Sequence, residues 1–251
     1  MTKFSANLGF LWADLPLPDA IRAAHAAGFD AVECHWPYAV PVAEVQAALQ
    51  ETGLTMLGLN TLRGNPGENG LSALPGREAE ARAAINQAVD FAAAIGARKI
   101  HVMAGFATGA DAHATFVANL TYACAQAAPH GIGILIEPLN GYDAPGYFLN
   151  STGLSQQIVA QVGADNLHLM FDCYHVQLIE GDLSHRLENL LPIIGHIQFA
   201  SVPDRGAPDH GEVDYRHIFA LCDRLGWDVP LGAEYKPGGD TDATLGWLKQ
   251  P

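Results

Sequence analysis

The sequence has few basic residues and no long apolar run. Its 251 residues hold 13 lysines and arginines against 27 aspartates and glutamates, a formal net charge of −14 at pH 7. Nucleic acids and anionic membranes bind to positively charged surfaces, so this balance disfavours both as partners. No segment approaches the roughly 20 apolar residues of a membrane span, and residues 1–7 (MTKFSAN) lack the apolar core of a signal peptide. We therefore expect a cytoplasmic protein.

Closely spaced cysteines, low-complexity tracts and a glycine-rich phosphate-binding fingerprint are also missing. The absence of a CxxC pair favours reduced thiols, and 49% hydrophobic composition excludes disorder over most of the chain. Because no glycine fingerprint follows the first predicted strand, a dinucleotide-binding sheet is the weaker fold alternative. The cysteines are widely scattered, at Cys34, Cys124, Cys173 and Cys222.

Short apolar runs alternate with helical patterns along the chain, in eight strand-then-helix units. Strands are predicted at residues 3–9, 31–35, 54–60, 99–103, 131–137, 167–172, 193–198 and 229–234. Helices are predicted at residues 18–27, 41–52, 77–95, 111–128, 152–162, a short piece within 176–191, 215–225 and 241–248, with Asp111 as an N-cap. This alternation implies parallel strands joined by right-handed crossovers. We predict an α/β fold, a single (β/α)8 TIM-barrel domain over residues 1–251 with a rim loop at residues 61–76.

The last four predicted strands each end on a side chain that carries a ligand oxygen. The carboxyl ends of barrel strands meet at one rim, and the alternation of side chains along a strand points these residues into the barrel mouth. A strand-end cap or a salt bridge would explain any one of them alone. Together, three carboxylates and an amide oxygen predict a site for Mg²⁺ or Mn²⁺ rather than zinc or copper. The four residues are Glu137, Asp172, Gln198 and Glu234.

Polar residues near these strand ends are candidates for substrate binding. His175 is suited to binding a substrate oxygen or to orienting the metal site, and capping of the next helix is the alternative. Lys236 shares a strand face with the last proposed ligand, which would put its ammonium beside the metal. Arg205 lies in the polar loop after the seventh strand, where barrel enzymes often contact anions. Pocket walls are also expected at the first three strand ends, from Asn7, Trp12, His35, Asn60 and Arg63.

Glu33 is an acid inside the second predicted strand, next to Cys34. We expect it to be either a buried acid that supports the site or the partner of a cation at the bottom of the barrel. The cysteines are expected to pack rather than to act as nucleophiles, because no Cys/His/Asn arrangement is evident.

Six segments in combination resemble the hydroxypyruvate isomerase family: residues 4–8 (FSANL), 75–78 (PGRE), 136–140 (IEPLN), 171–175 (FDCYH), 195–198 (GHIQ) and 232–237 (GAEYKP). That family is one of the xylose isomerase-like barrels, which also include sugar epimerases and endonuclease IV. The resemblance implies that the four strand-end residues are metal ligands, with Glu137 and Glu234 as the proton-transferring pair. Gln198 stands where many of the epimerases have histidine, which favours the isomerase branch.

The reaction implied by the resemblance interconverts hydroxypyruvate and 2-hydroxy-3-oxopropanoate (tartronate semialdehyde) through an enediolate. A divalent ion would stabilise the negative charge of the enediolate, and one carboxylate on each side of the substrate would move the protons. The carboxylate of this small 2-oxo acid needs a cation, for which Lys236 and Arg205 are the candidates. No hydride moves, so no nicotinamide cofactor is expected.

Other functions stay open on the same scaffold. Isomerisation of 2-oxo-tetronates shares these motifs, and a ketose 3-epimerase would use the same ligands at a single carbon. A nuclease like endonuclease IV would need a histidine-rich zinc cluster and a basic groove, which this chain lacks. A catalytically silent barrel that binds a ligand or a subunit is the alternative of a different class. Assembly into a homo-oligomer is also left open.

Overall fold

In the computed structural model, which describes residues 2–249, nine parallel strand segments form one sheet. The order of strands across the sheet is β3-β2-β1-β9-β8-β7-β6-β5-β4. All neighbouring strands are parallel. The strands are β1 (Phe4–Asn7), β2 (Ala31–Glu33), β3 (Thr55–Met56), β4 (Gly58–Asn60), β5 (Lys99–His101), β6 (Gly133–Ile136), β7 (Leu167–Asp172), β8 (Ile194–Phe199) and β9 (Leu231–Ala233).

The two segments at opposite ends of this order, β3 and β4, are neighbours in sequence, so the sheet closes into a barrel between them. Only Leu57 separates them in sequence, so they are two halves of the third predicted strand. The backbone N–H of Leu57 donates to the carbonyl of Val32 at 2.7 Å, and that of Cys34 donates to the carbonyl of Gly58 at 3.1 Å. Hydrogen bonds therefore continue from β2 across the seam to β4. The predicted fold class, an α/β TIM barrel, is confirmed.

Helices follow the strands and cover the outside of the barrel. The sixth strand–helix crossover holds two helices, α6 and α7, where the sequence predicted one short piece. The last predicted helix is a 3₁₀ helix, Asp242–Lys249. None of the helices in the described residues is long and apolar enough to cross a membrane. The α-helices are α1 (Leu17–Ala27), α2 (Val42–Thr52), α3 (Glu78–Ile95), α4 (Gly109–Ala127), α5 (Thr152–Val162), α6 (Cys173–Ile179), α7 (Leu183–Leu190) and α8 (Tyr215–Arg224).

Local sequence signals account for where helices begin and end. In α5, the Ser151 hydroxyl accepts the N–H of Leu154 at 3.2 Å, and Gly163 ends the helix with a φ of +63°. A serine N-cap and a left-handed glycine are the expected signals at the two ends of a helix. In α4, by contrast, Thr108 is the N-cap residue and Asp111 lies in the first turn. The prediction of Asp111 as the cap was therefore wrong, although its charge still favours the helix amino terminus.

An aromatic cluster fixes the carboxyl-terminal 3₁₀ helix against the barrel. Phe4 of β1, Phe199 of β8, Phe219 of α8 and Trp247 are all buried. Five pairs among these rings have centroids 4.9–5.8 Å apart in edge-to-face arrangements. Such pairs contribute roughly 0.5–1.5 kcal/mol each beyond the burial of their area. The cluster closes the barrel wall next to β9, the strand that leads to Glu234.

Candidate metal and catalytic site

The four predicted ligands converge at the carboxyl rim of the barrel. Glu137 follows β6, Asp172 ends β7, Gln198 lies in β8 and Glu234 follows β9. Asp172 and Gln198 are direct register partners. One ligand atom each from Glu137, Asp172, Glu234 and His175 can be chosen so that all four lie within 4.8 Å of one another. Three of the predicted ligands and His175 therefore form one buried cluster, and Gln198 lies beside Asp172 on the neighbouring strand.

Three of these side chains leave an oxygen buried without a hydrogen-bond partner among the described residues: Glu137 Oε1, Asp172 Oδ2 and Gln198 Oε1. An unpaired buried polar group costs about 1–3 kcal/mol, and a charged one costs more. A cation that binds all three oxygens would remove that cost. Because the donor set consists of oxygens, the residues present fit a hard divalent ion such as Mg²⁺ or Mn²⁺.

The cluster carboxylates perturb one another because they are buried close together. Burial, followed by the charges of Glu234 and Asp172, raises the pKa of Glu137 well above its usual range. Burial and the charge of Glu234 raise the pKa of Asp172 to about 8. Burial alone would also raise the pKa of Glu234, but the Arg205 guanidinium and a hydrogen bond with His35 hold it at about 2. Without a cation the cluster therefore retains protons, which a bound metal would displace.

Arg205 is the cation that the structure brings to this cluster. Its Nη2 donates to Glu234 Oε2 at 2.6 Å and lies 3.7 Å from Asp172 Oδ2. Its Cζ lies 4.9 Å from the ring centroids of both Phe10 and Tyr174, so the guanidinium is stacked between two aromatic rings. Its Nε is buried and has no hydrogen-bond partner among the described residues. The side chain is held in place while its Nε–H stays available as a donor.

His175 presents a hydrogen-bond donor to the cluster. Its Nδ1 accepts the backbone N–H of Asn140 at 3.1 Å, so the neutral ring carries its proton on Nε2. Burial and the charge of Arg205 lower the pKa of His175 to about 3, which keeps the ring neutral. Nε2 lies 3.6 Å from Asp172 Oδ2 and 4.0 Å from Glu137 Oε1. The alternative that His175 caps the next helix is wrong, because the carboxylate of Asp172 accepts the N–H of Tyr174 as the cap of α6.

The side chain of Asn7 contacts a proposed ligand, whereas the contact made by Asn60 joins its backbone carbonyl to a tyrosine. The Asn7 Nδ2 donates to Glu234 Oε1 at 2.9 Å, and its Oδ1 accepts the N–H of Gly9 at 2.9 Å. Asn7 therefore orients Glu234. Asn60 is half-buried at the end of β4, and its carbonyl accepts the hydroxyl of Tyr38. A role for Asn60 in substrate binding stays a prediction.

Lys236 does not join the cluster, which corrects the expectation that its ammonium lies beside the metal site. The side chain is exposed, and no acidic group of the described residues lies within salt-bridge distance of it. The expectation extended strand alternation past residue 234, but β9 ends at Ala233. Beyond that point the N–H of Lys236 donates to the carbonyl of Arg205 at 2.7 Å. The backbone at Lys236 thus pairs with the loop after β8, and the position beside the carboxylates belongs to Arg205.

His101 is a site residue that the sequence analysis missed. It ends β5, and its Nδ1 lies 3.6 Å from Glu137 Oε2. Both ring nitrogens are buried without a hydrogen-bond partner among the described residues, and burial lowers the pKa of His101 to about 4. The available signal was its position inside the fourth predicted strand, on the face shared with Lys99 and Met103.

Asp143 is a second missed residue, in the loop after β6. Its Oδ2 accepts the hydroxyl of Tyr174 at 2.9 Å and the Nδ2 of Asn140 at 3.2 Å, and it lies 3.5 Å from Nη1 of Arg205. Asp143 thus links the loop after β6, whose Asn140 donates to His175, to Arg205 at the barrel mouth. No sequence spacing identifies this contact, because the four residues come from three separate loops or helices.

Comparisons with known proteins agree with this architecture. The sequence profile of the xylose isomerase-like TIM barrel family matches residues 21–250. The chain belongs to this family. A 2-oxo-tetronate isomerase from Cupriavidus necator is 46% identical over 99% of this chain and 98% of its own length. A Mus musculus protein provisionally named hydroxypyruvate isomerase is 40% identical over 98% of this chain and 94% of its own length.

A solved structure of the same family superimposes closely on the chain. The crystal structure from Brucella melitensis is described as an AP endonuclease of family 2 and has a TM-score of 0.95. It is 35% identical and covers 99% of this chain and 98% of its own. The family resemblance predicted from the six sequence segments is confirmed.

Proposed function

We propose that this chain is a metal-dependent isomerase of the aldose–ketose type that acts on small 2-oxo acids. The observation that carries the proposal is the combination of two features in one buried cluster. Glu137, Asp172 and Gln198 each offer an oxygen, and Arg205 offers an Nε–H, with no hydrogen-bond partner among the described residues. The first feature suits a divalent cation, and the second suits the carboxylate of a 2-oxo acid.

In this proposal Glu137 and Glu234 move the protons. They follow β6 and β9, so in sheet order they stand on either side of the strands that carry Asp172 and Gln198. Asn7 and His35 both contact Oε1 of Glu234 and hold its orientation. A divalent cation held by these residues supplies Lewis-acid stabilisation of the negative charge that develops on the substrate oxygens. With a carboxylate on each side, one side chain removes a proton from one carbon and the other returns a proton to the neighbouring carbon.

Arg205 and His175 bind the substrate in this proposal. The guanidinium of Arg205 donates to the substrate carboxylate, and its stacking between Phe10 and Tyr174 limits its motion. The Nε2–H of His175 donates to a substrate oxygen near Asp172. His175 is buried and the side chain of Arg205 is only 12% exposed, so little water reaches these groups and each charge-assisted hydrogen bond is strengthened.

The substrate is proposed to be hydroxypyruvate or a 2-oxo-tetronate. Both have a carboxylate next to a ketone and a hydroxyl on the following carbon, so the same groups serve both. Hydroxypyruvate follows from the sequence resemblance, and the relative at 46% identity that is named a 2-oxo-tetronate isomerase supports the second compound. A ketose 3-epimerase is less well supported, because a neutral sugar gives the unused donor of Arg205 no carboxylate to bind.

The name of the Brucella melitensis structure raises nuclease activity as an alternative. A zinc nuclease of that type needs several histidine ligands and a basic groove. Of the four titratable residues with ligand atoms within 4.8 Å of one another only one is a histidine, His175, and its Nε2–H faces the carboxylates. His35 and His101 each contact one carboxylate of this set but are not part of it. The net charge of −14 also opposes binding to DNA.

A substrate panel tests the proposal. The purified chain is incubated with hydroxypyruvate, 2-oxo-tetronates, free ketoses and duplex DNA that contains an abasic site, each with Mn²⁺, with Mg²⁺ and with a chelator. We expect turnover of one or both 2-oxo acids that the chelator abolishes. Turnover confined to ketoses or cleavage confined to DNA would refute the proposed substrate class, and turnover unaffected by the chelator would refute metal dependence.

A further inference from the structure

Inside the barrel, next to the cluster, two buried polar side chains that the proposed reaction does not use, Glu33 and His196, pack near the proposed ligand Gln198. Glu33 ends β2, and His196 and Gln198 lie on the same face of β8. All three are no more than 4% exposed. Glu33 Oε2 lies 2.6 Å from His196 Nε2, and Glu33 Oε1 accepts the Nε2 of Gln198 at 3.3 Å. One carboxylate therefore bridges an imidazole and the amide of a proposed ligand.

The hydrogen bond between Gln198 and Glu33 determines which end of the Gln198 amide faces the cluster. The oxygen and nitrogen ends of an amide have nearly the same shape, so a hydrogen-bond partner must select the orientation. Both Glu33 oxygens are occupied, and the one near Gln198 accepts a hydrogen bond, which requires the NH₂ end of that amide. The Oε1 of Gln198 is then the atom left buried without a partner among the described residues. Only this orientation offers a cation an oxygen lone pair, because an NH₂ group has none to give.

Gly232 on β9 provides the space for this bridge. A β-carbon at residue 232 would lie 2.3 Å from Glu33 Oε1, 2.8 Å from Gln198 Cγ and 3.0 Å from His196 Nε2. Gly232 has no left-handed backbone conformation that would itself require glycine. The missing side chain therefore serves the packing of the three polar groups rather than the path of the chain.

We propose that Glu33 is a positioning residue that turns the amide oxygen of Gln198 toward the metal site. His196 holds Glu33 from its other side, and Gly232 leaves room for both contacts. The inference rests on the proposed metal site. Because the ligand at residue 198 is an amide, metal binding would depend on Glu33, a carboxylate that itself contacts neither metal nor substrate in this proposal.

A double-mutant cycle on Mn²⁺ affinity tests this role. Glu33→Gln preserves size but introduces an NH₂ group, so residue 33 no longer requires the NH₂ end of Gln198. We expect Mn²⁺ binding, measured by titration calorimetry, to weaken roughly 10- to 100-fold, as for other partners that orient a metal ligand. Gln198→Glu offers an oxygen in either orientation and needs no orienting partner. In that background we expect Glu33→Gln to change Mn²⁺ affinity by less than about threefold or to strengthen it.

The cycle separates positioning from charge. If Glu33 acts only as a nearby negative charge, Glu33→Gln weakens Mn²⁺ binding by the same factor in both backgrounds, and this outcome overturns the positioning role. Melting curves of the metal-free variants show whether each protein is folded. If the unaltered chain binds no Mn²⁺ in stoichiometric amount, the proposed metal-dependent function fails together with the positioning role. If it binds Mn²⁺ and the two factors agree, only the positioning role fails.

Discussion

Arg205 donates a 2.6 Å hydrogen bond from Nη2 to Oε2 of Glu234, so a cation of the chain itself partly neutralises one of the proposed metal ligands. Two aromatic rings hold the guanidinium in that position. A substrate carboxylate that reaches Arg205 is thereby brought next to Glu234, one of the two proposed proton-transferring groups. In the proposed mechanism, substrate recognition and proton transfer are thus linked through one ion pair.

Replacing Arg205 by lysine tests this link. Lysine keeps the positive charge but loses the planar fork and the stacking between Phe10 and Tyr174. We expect kcat/KM for 2-oxo acids to fall roughly 10- to 100-fold, the loss of one charge-assisted hydrogen bond. Lys236→Gln is the matched control, because this exposed ammonium lies outside the cluster. Equal losses in the two variants would show that general charge, not the position of Arg205, attracts the substrate.

Replacing each glutamate of the pair by glutamine tests proton transfer. Glu137→Gln and Glu234→Gln keep the size of the side chain and one oxygen but cannot accept the substrate proton. Each should lose about 10²-fold or more in kcat. One variant should still exchange the C3 hydrogen of hydroxypyruvate with solvent and the other should not. Because both residues are proposed ligands, metal content is measured on the same samples. Full turnover by metal-loaded Glu234→Gln would remove that residue from the mechanism.

Replacing Gln198 by histidine tests the ligand at that position. An imidazole suits later transition metals better than Mg²⁺, and it can still donate one N–H to Glu33. We expect the variant to bind metal with its preference shifted toward Mn²⁺ or Co²⁺. The measurement is competition between Mg²⁺ and Mn²⁺ in each protein. Unchanged selectivity would mean that residue 198 does not touch the metal.

Protonation of the cluster carboxylates should affect both the stability of the metal-free protein and its affinity for Mn²⁺. Asp172, with a pKa of about 8, and Glu137, with a pKa raised well above normal, bind protons more tightly in the folded protein than in the unfolded chain, where the pKa is about 4. Their protonation therefore stabilises the metal-free protein at low pH, and this contribution is lost as the pH rises from about 4 through 8. Because a cation replaces these protons, Mn²⁺ affinity should increase with pH.

Melting temperatures at pH 6 and pH 8, with a chelator and with excess Mn²⁺, check this expectation. The increase in Tm on adding Mn²⁺ should be larger at pH 8 than at pH 6. The Tm of the chelated protein alone also contains the opposing contributions of His101 and His175, whose pKa burial lowers to about 4 and about 3. Asp172→Asn serves as the control, since it removes one titrating ligand and should reduce the pH dependence. An increase in Tm that is the same at both pH values would contradict the account of the site.

The proposed metal ligands could be identified from sequence because the position of each follows from one strand. Each proposed ligand ends an apolar run, and the carboxyl ends of parallel barrel strands meet at one rim whatever the details of packing. The four residues are Glu137, Asp172, Gln198 and Glu234. The structure adds Leu57, which interrupts the third strand where the barrel closes. No local pattern marks that break, because it depends on hydrogen bonds to β2, a neighbour distant in sequence.

The residues that sequence did not reveal, or misplaced, depend on contacts between loops. Asp143 joins the site through Tyr174 and Arg205, which no spacing connects to it. Lys236 was misplaced because alternation of side chains holds only within a strand, and β9 ends before it. Glu33 was expected either to support the site or to pair with a cation at the barrel bottom, and its contacts with His196 and Gln198 agree with the first.

The central claim is that the buried cluster holds a divalent cation that the isomerisation of a 2-oxo acid requires. The most direct test follows hydroxypyruvate or a 2-oxo-tetronate by NMR in deuterated water with the metal-loaded, the chelated and the Mn²⁺-restored protein. The account predicts isomerisation with deuterium entering at the reacting carbons, loss of both on chelation, and recovery of both with Mn²⁺. Isomerisation that persists in the chelated protein, or that proceeds with no deuterium incorporation, would contradict it.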